Sequence, residues 1–194
     1  KPYNLFNYSN VGYQTYFNTQ DEIGLMERLF FDAFRLGEVS NNIKIIEPVM
    51  RDANLVGIDL NAVHASAINT FSNNSPNGFD GKEICTLARY AGISDKVSSF
   101  GIYEYTSGYS ETGNMLIAQM IWYFLEGVNY RSNENTISAK KEFTKYQVPI
   151  DEEVLVFFKS PRTGRWWIEI PFISNSNTKL KRHTLLPCSH EDYL

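Results

Sequence analysis

Cysteine is scarce. The chain has two in 194 residues, Cys85 and Cys188, far apart and without a CxxC pair. That excludes a disulfide framework and a zinc knuckle, and makes a reducing cytoplasm the expected compartment. Long apolar runs are also missing. The longest, Met115 to Leu125, is interrupted by Gln119 and falls short of the roughly 20 residues that a membrane helix needs. Positive charge is in deficit: 18 Lys and Arg against 22 Asp and Glu give a net charge of −4 and a pI near 5.4. A nucleic-acid partner is not expected, because phosphate binding needs a basic surface. The first ten residues are polar and aromatic, with no apolar stretch of the kind a secretory leader carries. The chain opens Lys1-Pro2-Tyr3-Asn4-Leu5 without Met, so further residues are expected upstream.

What is present is globular. Hydrophobic residues make up 43% and aromatic residues 14% of the chain, enough for a sizeable core. Tyr3 to Gln14 alternates aromatic and polar residues and suits a strand and a loop. Thr19 with Glu22 fits a capping box, and Ile23, Met26, Phe30, Ala33 and Phe34 recur at helical spacing, with Gly37 as the stop. Leu55 to Leu60 is a nearly continuous apolar run, which predicts a central parallel strand buried on both faces. A Ser, Asn, Pro and Gly loop covers Ser72 to Gly78. A helix capped by Asp80 and Glu83 then carries Ile84, Leu87, Ala88 and Ala91 to Gly92. Lys96 to Glu104 reads as a second strand. Thr112 to Glu126 reads as a third helix, with Leu116, Ile117, Met120, Ile121 and Phe124 inward and Gly127 as its end.

Alternating strand and helix predict an α/β fold with a parallel sheet. Beyond Arg131 the character changes. Ser132 to Lys145 reads as a polar linker. Glu153–Lys159 and Arg165–Phe172 flank Ser160-Pro161-Arg162-Thr163-Gly164, which predicts a β-hairpin with Gly164 at a positive-φ position. Trp166 and Trp167 must face opposite sides of that strand, one inward and the other either covering its own domain, which is the plain reading, or exposed to a partner. Lys179, Lys181, Arg182 and His183 form a small basic cluster, read as solvated like His190. Lys179 to Leu194 has no clear periodicity.

Ligands of open parallel sheets bind at the carboxyl ends of strands. Asp59 and Glu104 occupy two such ends. A buried, unpaired acid costs several kcal/mol, so Asp59 needs a metal, an Arg or hydrogen-bond donors; by spacing alone it reads as an acid capping its loop. Cys85, without a nearby His in sequence, reads as a buried structural thiol.

The segment Gly57-Ile58-Asp59-Leu60-Asn61-Ala62-Val63-His64-Ala65 resembles the ureohydrolase motif Ser-x-Asp-x-Asp-x-x-Asp-Pro. Ser75-Pro76-Asn77-Gly78-Phe79 with Glu83-Ile84-Cys85 resembles the downstream loop and helix start of the same family. Ser98 to Tyr105 resembles the strand that carries its substrate-facing Glu, and Thr112 to Trp122 the helix that follows. The resemblance runs in order from Asn4 to Arg131 and is nearest to formimidoylglutamase-like members of the arginase family.

It implies a three-layer α/β/α fold over residues 1–131, as the C-terminal part of a ureohydrolase domain, with 132–194 as linker, hairpin and tail. It implies two manganese ions held by carboxylates and imidazoles, which suits hard divalent cations. Asp59 then matches a metal ligand and Glu104 the substrate-contacting acid. The motif departs at four places: Gly57 for Ser, Asn61 for the second Asp, His64 for the third and Ala65 for Pro. An amide offers one neutral oxygen where a carboxylate offers two charged ones. Asn61 and His64 are thus altered ligand positions, with a polar loop residue and a surface imidazole as their plain readings. Alternate strand residues share a face, so Asp59 and residue 61 are expected to point the same way.

The family's Gly-Gly-Asp-His and Asp-Ala-His-x-Asp segments are absent from these residues, and its sheet order places an earlier strand between those found here. An incomplete sheet is therefore expected, finished by upstream residues or a companion chain; family members are commonly homo-oligomers. Three functions follow from this: a scaffold or binding protein with a degraded dimanganese site, an active manganese hydrolase of formimino or guanidino C–N bonds, or an assembly subunit docking through its hairpin.

Overall fold

A computed structural model describes residues 7–68, 75–106, 110–134, 140–150, 153–170 and 185–194. The chain divides into two compact units, Lys1–Tyr130 and Arg131–Leu194.

In the first unit, β1 (Ser9–Tyr13) pairs in parallel with β2 (Asp32–Arg35). Between them lies α1 (Gln20–Arg28), started by the expected box, in which the Thr19 hydroxyl accepts the Glu22 N–H and the Glu22 carboxylate accepts the Thr19 N–H. The helix stops far short of Gly37. Phe30 N–H donates to Glu27 O and Phe31 N–H to Met26 O, both at 3.0 Å, with Phe30 at φ 55°. That pattern closes a helix C-terminus through a left-handed residue. Ala33 and Phe34, which continue the helical spacing, belong to β2, because pairing with β1 overrides local periodicity.

Two helices that the sequence reading did not separate follow, α2 (Leu36–Asn41) and α3 (Ile46–Asp52). Gly37 is the second residue of α2, not a stop. Pro48 sits in the first turn of α3, where a missing N–H costs nothing. After α3 comes β3 (Leu55–Asp59), then the short α4 (Ala65–Ile68). Next are α5 (Gly81–Ile93), β4 (Ser99–Tyr103) and α6 (Glu111–Asn129). β3 and β4 pair in parallel, with Asp59 opposite Tyr103.

The sheet is incomplete, as expected: β1–β2 and β3–β4 are separate two-stranded sheets among the described residues. β3 is buried on one face and not, as expected, on both. Val56 and Ile58 are buried, whereas Leu55, Gly57 and Asp59 are exposed.

The core joins Val56, Ile58 and Leu60 to Ile84, Leu87, Ala88 and Ala91 of α5 and to Leu116 and Met120 of α6. Each of the Val, Ile, Leu and Met side chains contributes about 1.5–3 kcal/mol when buried. Ile121, expected inward, is 45% exposed. Gly92 and Gly127 do not end their helices; they lie inside α5 and α6, where the two backbones meet. A Cβ on Gly92 would stand 2.2 Å from the Phe124 carbonyl oxygen, and one on Gly127 2.7 Å from that of Arg89.

The second unit is an antiparallel sheet in the order β5 (Thr144–Ile150), β6 (Glu153–Lys159), β7 (Trp166–Glu169), β8 (Leu185–Cys188). The β6–β7 hairpin is as expected, with Gly164 at φ 72° and its N–H donating to Ser160 O at 3.0 Å. The flanks differ from expectation. The end of the stretch read as a polar linker, Thr144 and Lys145, already belongs to β5, and the tail supplies β8, because cross-strand pairing recruits segments with no period of their own. Trp166 and Trp167 are both buried, so neither is offered to a partner. Trp166 packs against Tyr146 and Tyr193, while Trp167 stacks on Phe143 at 4.6 Å.

Ser132 and Glu134 are not linker residues in solvent; both are buried. Glu134 accepts the hydroxyls of Ser160 at 2.5 Å, Thr163 at 2.7 Å and Ser132 at 3.2 Å. His190 is exposed, with its ring 5.1 Å from that of Trp166. The Lys179, Lys181, Arg182 and His183 cluster lies outside the described residues, as does Phe172.

Candidate functional site

Asp59 ends β3 and Glu104 follows Tyr103 at the end of β4, so register alone brings the two acids to one rim. Both are exposed. Glu104 has φ 62°, a left-handed conformation that costs a non-glycine residue about 1–2 kcal/mol. Strain of this kind concentrates where the backbone must aim a side chain, and no sequence pattern announces it.

The chain turns immediately after Asp59. Leu60–Ala62 form a 3₁₀ turn, so Asn61 is not on the strand and strand alternation does not set its direction relative to Asp59. The Asp59 carboxylate instead caps that turn, accepting the Asn61 N–H at 2.8 Å. The Asn61 side chain is exposed.

His64 is the N-terminal cap of α4 in effect. Ser66 N–H donates to its Nδ1 at 3.0 Å, and Ser66 Oγ lies 2.7 Å from the same nitrogen. An Nδ1 that accepts an N–H uses its lone pair there, and a cation on Nε2 would require Nδ1 to be protonated. Ligation through Nε2 would forfeit the Ser66 N–H bond and leave Nδ1–H to donate to Ser66 Oγ. His64 is half-buried, between the 3₁₀ turn and α4.

The two motif segments meet in space. His64 N–H donates to Phe79 O and Phe79 N–H to Ala62 O, both at 2.9 Å, and Ala65 N–H reaches Ser75 O at 3.0 Å. Gly78 is required at this approach: a Cβ there would stand 2.7 Å from both Ala62 O and His64 N. The end of β1 reaches the same loop, where Asn77 Nδ2 donates to Gln14 Oε1 at 3.0 Å.

Two features had no clear sequence signal. The Tyr103 ring lies back across the open face of β3–β4, so that a Cβ on Gly57 would be 2.9 Å from its Cε2 and one on Gly101 2.6 Å from its hydroxyl. Gly57, the first departure from the motif, thus makes room for an aromatic ring. Beside β4 runs a shallow groove of about 500 Å³ lined by Ile102, Tyr105, Asn114, Ile117 and Ile121. Cys85 is buried, and burial together with Asp80 pushes its thiol above the usual range. That fits the structural role expected of it.

The chain resembles formimidoylglutamase from Bacillus subtilis at a TM-score of 0.55 and 16% identity, over 62% of this chain and 41% of that one. It has the arginase fold. Formiminoglutamase from Trypanosoma cruzi, solved with Mn2+, gives a TM-score of 0.54 at 15% identity, over 59% of this chain and 42% of that one. Arginase from Entamoeba histolytica, solved with L-ornithine, gives 0.51 at 16%, over 59% and 41%. No family model matches the chain. No curated protein matches it. The chain therefore spans about two fifths of the length of these arginase-fold proteins.

By themselves the described residues do not make up a two-manganese centre; the matched motif segment supplies one carboxylate, Asp59. Asp59 is a single carboxylate with one oxygen committed to a backbone N–H, Asn61 is neutral, and His64 Nδ1 is engaged. Among the described residues no group of three or more His, Cys, Asp and Glu converges. No helix among them is long and apolar enough to cross a membrane.

Proposed function

We propose that this chain is part of an arginase-type protein with a degraded metal site, serving a binding or scaffold role. The observation that carries this reading is the Asp59–Asn61 geometry: the first acid caps a turn, and the second motif position offers only an exposed, neutral amide. Two dications held close together require several carboxylates for charge balance. Loss of outer groups alone lowers metal affinity ~10- to 100-fold, and loss of a direct ligand lowers it further.

Metal analysis tests this. The purified protein is loaded with manganese chloride, dialysed and assayed by elemental analysis. Less than a tenth of an equivalent per chain is expected; one or more equivalents overturns the reading.

A second reading has its own support. Asp59 and Glu104 share one rim at the ends of adjacent parallel strands, where a hydrolase of formimino or guanidino compounds would need a metal acid and a substrate acid. That activity requires histidines and aspartates from another segment or a companion chain. Release of formamide from a formimino substrate, or of urea from a guanidino one, by the complete protein would support it. The third possibility, docking through the hairpin, loses its main support because both tryptophans are buried.

A further inference from the structure

The chain contains one Asn-Gly pair, Asn77-Gly78, and the fold requires both of its members. Glycine is needed at 78, because a Cβ would stand 2.7 Å from Ala62 O and His64 N. An amide is needed at 77, because Asn77 Nδ2 donates to Gln14 Oε1 at 3.0 Å and to Tyr16 Oη at 3.4 Å. An ionised aspartate would bring acceptors only to that contact. The pair is chemically labile. Glycine has no Cβ to shield its nitrogen or restrict its turning toward the preceding Asn Cγ.

The surroundings of this peptide bond favour that reaction. Asn77 is exposed. Ser75 Oγ donates to the main-chain oxygen of Asn77 at 2.6 Å, and Gln14 Nε2 donates to the same oxygen at 3.4 Å. Among the described residues the Gly78 N–H has no acceptor. When the Gly78 nitrogen loses its proton, the charge spreads onto the Asn77 oxygen, where two donors already point. Donors aimed at a developing oxyanion lower the barrier. Asp80-Gly81 is a contrast nearby. The Asp80 carboxylate accepts the Glu83 N–H at 2.7 Å as the cap of α5, and a carboxylate resists attack by nitrogen better than an amide does.

We infer that Asn77 is a site of spontaneous modification, at which the Gly78 nitrogen closes on Asn77 Cγ and Ser75 promotes the closure. A bond forms between Gly78 N and Cγ, and the Cγ–Nδ2 bond breaks. The proton of the Gly78 N–H passes through solvent to Nδ2, which leaves as ammonia. Water then opens the cyclic imide at either carbonyl, giving aspartate or isoaspartate. Closure forfeits the Nδ2 bond to Gln14, which is exposed and adds little net stability. The product bears on the candidate site. Isoaspartate lengthens the backbone by one atom between Ser75, whose carbonyl holds Ala65 N–H, and Phe79, which bonds to Ala62 and His64. Those bonds fasten the turn after Asp59 to the loop, and modification loosens them.

Peptide mapping by mass spectrometry tests this on the complete protein, held at mildly alkaline pH. Asn77 should convert at least ~10-fold faster than any other asparagine of the chain, a barrier lower by about 1.4 kcal/mol. Isoaspartate among the products is read with an isoaspartate methyltransferase. Ser75→Ala removes one donor and should slow the conversion ~10-fold or more, with an unchanged circular dichroism spectrum. The amides of His64 and Phe79 should exchange ~10-fold faster in the converted protein. An Asn77 that stays intact while the free peptide Ser75–Lys82 converts in the same buffer overturns the inference. An equal or faster rate in Ser75→Ala overturns the part given to Ser75, and unchanged His64 and Phe79 amides overturn the link to the site.

Discussion

The Asp59 carboxylate accepts the Asn61 N–H at 2.8 Å, so the first residue of the Asp-x-Asn pair shapes the turn that holds the second. The bond uses the backbone of residue 61 and leaves its exposed side chain uncommitted to it. Asn61→Asp should therefore fold normally and raise Mn2+ affinity by more than ~10-fold, the scale of a restored ligand. Titration calorimetry of the two proteins reads this directly. Equal affinities would show that residue 61 does not face the cation site.

Phe30 sits at φ 55° with 91% of its surface exposed. A left-handed phenylalanine costs about 1–2 kcal/mol, and so exposed a ring recovers little of it by packing. Glycine loses that strain but gains unfolded-state entropy. Phe30→Gly should raise stability by about 0.5–1 kcal/mol in urea unfolding. A loss of stability would mean that the ring makes a contact worth more than the strain.

Gly92 packs where α5 meets the α6 backbone. A backbone carbonyl cannot move aside as a side chain can, so Gly92→Ala must push the helices apart. A loss of about 1–3 kcal/mol is expected, seen as a lower Tm. Gly37→Ala, where a Cβ meets nothing within 4 Å, is the control and should be near neutral.

Glu134 collects three hydroxyls, from Ser132, Ser160 and Thr163. Glu134→Ala leaves buried donors without their acceptor and should cost about 2–3 kcal/mol. Faster exchange of the amides of Thr163 and Gly164 would follow in hydrogen-exchange mass spectrometry. An unchanged turn would show that its own backbone bonds suffice.

Burial raises the Cys85 thiol and the Tyr90 phenol, with Asp80 and Glu47 adding to the shifts. A raised acid stays protonated in the folded state while the unfolded chain ionises, so the unfolded state binds fewer protons. Stability should therefore fall as pH rises through the ordinary thiol and phenol ranges. Urea midpoints between pH 7 and 10 check the slope, and Cys85→Ala should flatten its lower part; a slope that persists unchanged would assign it elsewhere.

Much of this was legible from the chain. Both capping boxes and the Gly164 turn rest on contacts within a few residues, and local chemistry fixes those; the β3 and β4 strands were legible from their apolar runs. The motif order from Gly57 to Glu104 pointed to the arginase fold, and the incomplete sheet followed from it. Other features depend on distant partners. β2 exists because β1 lies beside it, against the helical spacing of its own residues. β8 exists because β7 does. Gly92 and Gly127 read as helix stops until the α5–α6 crossing gives them another purpose. At the site, sequence set which groups are present: an acid, an amide and an imidazole. Only the tertiary structure decided that Asp59 caps a turn, that Asn61 leaves the strand and that His64 spends Nδ1 on Ser66, because hydrogen-bond commitments depend on backbone direction, which residue types alone do not set.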